Sequence, residues 1–96
     1  MNFIYLIYVR KLSFTEGDRE FIYVTKEFRS MFPKVRQKFS LIIHNEKYTV
    51  DLDEQHRIWC GKFRKKVKFQ KGVEFEIFKG NDDEYRLITA ESLSQS

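Results

Sequence analysis

Along Val73-Glu74-Phe75-Glu76-Ile77, apolar and acidic side chains alternate residue by residue. Successive side chains of an extended chain point to opposite faces, so this run suits a β-strand with one face buried and the other in water. Tyr48-Thr49-Val50-Asp51-Leu52 repeats the pattern. Turn signals recur at short spacing: Glu16-Gly17-Asp18, His44-Asn45-Glu46-Lys47, Asp53-Glu54-Gln55, Lys71-Gly72 and Gly80-Asn81-Asp82-Asp83. Strands this short and this closely punctuated predict a mainly-β fold, a small barrel or sandwich of about seven strands with one or two short helices. Ten Phe and five Tyr supply the aromatics that half-buried pleated surfaces favour, and a single Ala argues against a helical bundle.

The chain is expected to form one domain over residues 1–89, followed by a polar tail at 90–96. Residues 3–14 read as a long strand, apolar on both sides over its first half, returning through Phe21–Val24 to make a hairpin with a charged tip. Thr25 is placed to cap a helix from Lys26 to Phe32, with Phe28 and Phe32 facing the core and Pro33 ending it. Further strands follow near 39–43, 48–52, 56–60, 73–78 and 84–88, with a basic connector at 62–66 that is a loop or one helical turn. By pattern, Phe28, Phe32, Phe39, Ile43, Val50, Phe75 and Ile77 belong to the core.

Charge is distributed in blocks. Residues 10–38 carry a net +4, residues 39–55 a net −3, residues 56–72 a net +7, and the remainder a net −4. The 56–72 block holds seven Lys and Arg and no carboxylate, so it repels itself unless a polyanion or the rest of the fold screens it. Trp59 and Phe63 lie among these charges, as expected where side chains both grip phosphate and touch bases. A solvated face is the plain alternative.

No motif for catalysis emerges. The glycines stand singly, and one Cys with two His cannot complete a tetrahedral metal site. Cys60 and His56, four apart on an expected strand, would share a face; a small buried thiol explains Cys60 more simply than a nucleophile. Asp51, Asp53 and Glu54 could bind a cation as nucleases do, yet a solvated turn accounts for them better. No catalytic residue, metal or cofactor is therefore assigned. The apolar opening is too short to span a bilayer, and the lone cysteine fits an intracellular, reducing compartment such as the cytoplasm.

The order of elements carries a resemblance. Val24-Thr25-Lys26-Glu27-Phe28 runs from a strand into a helix, and Tyr48–Leu52, Arg57-Ile58-Trp59-Cys60-Gly61-Lys62-Phe63 and Phe69-Gln70-Lys71-Gly72-Val73-Glu74-Phe75 follow, with Val73 where Asp is usual after Lys-Gly. Over roughly residues 3–89 this resembles the DNA-binding pseudobarrel domains of plant B-three transcription factors and of restriction endonucleases such as EcoRII and BfiI. The resemblance implies an open barrel that reads double-stranded DNA in the major groove with two arms, any nuclease lying in a fused or associated partner. The first arm would offer Arg10, Lys11, Ser13, Thr15 and Arg19. The second would offer Arg57, Lys62, Arg64, Lys65 and Lys66, with Trp59 against a sugar or thymine methyl or else in the core. Lys34, Arg36 and Lys38 would touch phosphate or line a solvated loop. These arms coincide with the two basic blocks. The competing expectations are a protein-interaction module with an acidic partner and an RNA-binding barrel that stacks bases on Tyr and Phe.

Overall fold

The computed structural model describes residues 5–81 and 84–89. The beginning of the first expected strand, two residues of the expected turn at 80–83 and the expected polar tail at 90–96 lie outside them. Among the described residues there are seven strands: β1 (Tyr5–Lys11), β2 (Phe21–Tyr23), β3 (Phe39–Ile43), β4 (Glu46–Val50), β5 (Arg57–Trp59), β6 (Glu74–Lys79) and β7 (Glu84–Thr89). One α-helix, α1 (Phe14–Arg19), and two 3-10 helices at Lys26–Met31 and Gly61–Phe63 complete the fold. The expected mainly-β class holds.

The strands form a five-stranded sheet in the order β1-β6-β7-β3-β4 and a separate ribbon of β2 and β5. All pairs are antiparallel except β3 with β7. The large sheet is not closed into a barrel: β1 and β4 remain its edges. One contiguous core fills the space between sheet and ribbon, with Phe75, Ile77, Leu41 and Ile43 from the sheet and Ile22 and Ile58 from the ribbon. The acidic side chains of β6 alternate with these buried residues as its sequence dictates.

Four local expectations are corrected. Residues 3–24 do not form a hairpin, because β1 pairs with β6 and β2 with β5. What looked like a turn at Glu16-Gly17-Asp18 is part of α1. The cause is a capping box: Ser13 Oγ accepts from the Glu16 amide, and the Glu16 carboxylate accepts from the Ser13 amide. Glu20, at φ 64°, then ends the helix in the left-handed region, its amide donating to the Glu16 carbonyl. β1 is an edge strand with Tyr5, Leu6 and Val9 exposed, not a strand buried on both sides. Finally, the Lys26–Met31 helix winds as 3-10, so residues four apart do not share a face; Phe32 is buried while Phe28 is 38% exposed.

Candidate nucleic-acid interface

The ribbon and α1 together decide where the two basic blocks go. Pairing of β2 with β5 sets Phe21 opposite Trp59 and Tyr23 opposite Arg57, with Ile22 and Ile58 turned into the core. From β5 the chain continues around α1. The Cys60 amide donates to the Glu20 carbonyl at one end of the helix, and the Gly72 amide donates to the Leu12 carbonyl at the other. Between them, Gly17 lies so close to the Gln70–Lys71 backbone that an added Cβ would sit 2.7 Å from its atoms. Segments far apart in sequence thus meet around one short helix.

The irregular stretch 61–72 is held by its apolar positions. Phe63 and Val67 are buried, and Phe69 is half-buried. The ring of Phe63 lies 5.1 Å from Tyr48 and 6.2 Å from Phe69, and Phe69 lies 5.2 Å from Phe75. Phe63 is therefore a core anchor and not a side chain that touches bases. The cations of this stretch are turned outward, which is how six like charges are kept in water and apart.

The candidate cations divide into two groups. Arg10 is bound by the Glu16 carboxylate through Nε at 3.1 Å and Nη2 at 2.9 Å. Arg57 donates to Asp53 at 2.8 Å, as does the indole nitrogen of Trp59, and the Arg57 guanidinium lies 4.9 Å from the Trp59 ring. Trp59 remains 42% exposed, its ring tilted at 55° against Phe21 with centroids 5.0 Å apart. Arg36 is paired with Glu54 at 2.6 Å, Lys66 with Glu46 at 2.5 Å, Arg64 more loosely with Glu20 at 3.6 Å and Lys38 with Asp51 at 3.9 Å. Lys62 donates to the Thr49 carbonyl at 2.6 Å. Lys11, Thr15, Arg19, Lys34 and Lys65 are exposed and, among the described residues, have no such partner. The Lys34–Lys38 stretch packs beside the 51–54 turn, the Arg36 amide donating to the Leu52 carbonyl, and not beside α1.

Lys71, counted in the sequence only as part of the basic block, joins Lys11, Arg19 and Arg64 around α1; Lys65 is exposed on the connector that follows Arg64. Nothing along the chain singles it out: Lys71 comes beside α1 only because its backbone packs against Gly17. Ser13, by contrast, caps α1.

Two carboxylates organise the region. Burial alone would raise the Glu16 carboxyl, but hydrogen bonds from Arg10 and from the Ser13 and Tyr23 amides outweigh it and hold the group below the usual carboxylate range. Asp53 follows the same logic: burial opposes ionisation, and the Arg57 amide, the Trp59 indole, the Arg57 side chain and the Gln55 amide overcome it. The acids of the 51–54 turn are engaged by the protein's own cations, Asp51 by Lys38, Asp53 by Arg57 and Glu54 by Arg36. Among the described residues, no cluster of three His, Cys, Asp or Glu side chains could hold a metal ion.

Cys60 is fully buried, its thiol pushed well up by burial, and His56 lies in the turn before β5 at φ 61°, not on the strand with it. Among the described residues, no helix is long and apolar enough to cross a membrane. No protein-family model, curated protein or solved structure matches the chain.

Proposed function

We propose that this chain binds double-stranded DNA through a cationic rim around α1. The observation that carries the reading is the meeting of segments of the two basic blocks there, with Lys11, Arg19 and Lys71 exposed and without internal carboxylate partners, and Lys65 exposed on the adjoining connector. Cations without internal counterions are the ones that displace condensed ions from phosphate, and they dominate affinity for a duplex. A six-residue helix is about 9 Å long, so charges at its two ends are spaced on the scale of a DNA groove. Arg10, Arg57 and Trp59, the arm residues nearest the ribbon, act in this reading as the frame that positions the rim. Thr15, exposed on α1, faces the ligand with them. The likeness to the DNA-binding pseudobarrel domains agrees with this role, as the recognition module of a system whose strand cleavage belongs to another domain or partner.

The test is fluorescence anisotropy on a short duplex across a range of salt. Each phosphate contact contributes about 0.9 to the slope of log affinity against log salt, so Lys65→Ala and Lys71→Ala each reduce that slope by about 1. Arg36→Ala leaves it unchanged, because Glu54 already neutralises that charge. Absent or salt-independent binding refutes the proposal.

A further inference from the structure

A groove of about 450 Å³ runs between α1 and residues 69–71, lined by Phe14, Gly17, Asp18, Phe69, Gln70 and Lys71. Phe14 and Asp18 stand one helical turn apart, so they share the face of α1 that forms one wall. Phe69 stands in the other, fixed to the core through Phe63 and Phe75. Gly17 makes the floor possible, since any side chain there would strike the Gln70–Lys71 backbone.

Phe14 is the least expected residue of the surface. It is 69% exposed, the most of any large apolar side chain described, and among the described residues it stacks on no other ring. Burying a phenylalanine contributes roughly 1.5–3 kcal/mol to a fold, and here that contribution is left unused. An aromatic ring held in water beside unpaired cations is the combination with which proteins grip unstacked bases.

We propose that this groove takes an unpaired nucleobase of the nucleic acid held on the cationic rim; the inference rests on the reading of the preceding section. The base stacks on Phe14. Lys71 and its neighbours Lys11 and Arg19 favour a polyanionic carrier over a neutral or basic one. Asp18 repels phosphate, yet it accepts a hydrogen bond from an exocyclic amino group, so the groove prefers cytosine or adenine to thymine. The volume lies within the range of small-ligand clefts and accommodates one base with its sugar edge in solvent.

The experiment compares two duplexes of equal length, one fully paired and one with a central cytosine opposite an abasic site, by anisotropy at fixed salt. The native chain is expected to bind the second about tenfold more tightly, the factor that ~1.4 kcal/mol of stacking gives. Phe14→Ala, a change at an exposed position, abolishes the preference while the salt slope stays as in the native chain. In a third duplex with thymine in place of the unpaired cytosine, the native chain binds more weakly, and Asp18→Asn narrows that difference; equal binding of the two by the native chain removes Asp18 from the inference. Equal affinity for the first two duplexes overturns the inference and leaves duplex binding standing, as does a preference that survives Phe14→Ala. Failure to bind either duplex strikes the preceding reading, and this one with it.

Discussion

Glu16 and Asp53 solve one problem in two ways. Each is a buried carboxylate beneath an arginine that lies over a ribbon aromatic, Arg10 over Tyr23 at 5.8 Å and Arg57 over Trp59 at 4.9 Å. Each accepts from two backbone amides, Glu16 from Ser13 and Tyr23, Asp53 from Gln55 and Arg57. They differ in reach. Every partner of Asp53 lies within six residues of it, so that carboxylate shapes one turn and the strand after it. Glu16 instead ties β1, the start of α1 and β2, three elements that share no strand pairing with one another. A polar cluster that spans separate elements stabilises the assembly as a whole, whereas a local one stabilises only its own loop.

The sharpest way to break this contrast is to remove each acid in turn. Glu16→Ala leaves Arg10 and two amides without their acceptor. It is expected to cost about 3 kcal/mol, near the lower end for a broken buried pair because Arg10 keeps some solvent. The melting temperature should fall on the order of 15 °C. Asp53→Ala should cost about 1.5 kcal/mol, as for unsatisfied groups that can turn to water. Its signature is local: the emission of Trp59, the lone tryptophan, shifts as its indole loses its acceptor, while far-UV circular dichroism is unchanged. If Asp53→Ala proves the more damaging in thermal melts, the distinction between spanning and local clusters fails.

A smaller effect lies in the pH profile. Both carboxyls are held below their ordinary values in the fold, so the stability they contribute is fully present above those values and is lost as pH falls through the folded ones. Urea melts of the native chain should therefore show stability declining once pH drops below the ordinary glutamate value of 4.5. Glu16→Gln, weaker at neutral pH, should show a shallower decline. A native profile flat down through this range would mean that neither cluster favours the ionised acid.

The strands were legible because each reports its own environment. Val73 to Ile77 alternates, and β6 is half-buried with the expected register of inward Phe75 and Ile77. The helix at 14–19 went unread: Ser13-Phe14-Thr15-Glu16 carries a capping-box pattern, but Gly17 concealed it. A glycine inside a helix costs about 1 kcal/mol and so reads as a turn; here the close approach to Gln70 and Lys71 requires it. Pairing partners were not legible, since nothing local in β1 specifies β6. The same limit governs the site. Whether a lysine is available to a ligand depends on carboxylates elsewhere, such as Glu46 beside Lys66, which spacing along the chain does not reveal. Which segments of the two blocks meet around α1, and which charges remain open within them, could not be anticipated.

The pairing of β1 with β6 bears on how the protein comes into being. Lys11 and Glu74 are neighbours in space but more than sixty positions apart, so the first strand leaves the ribosome long before its partner is synthesised. Tyr5, Leu6 and Val9 meanwhile travel as an unmatched apolar ribbon end, exposed to any other nascent edge. Completion of the sheet therefore waits on one hairpin, β6 with β7, which gathers both β1 and β3 onto its two sides.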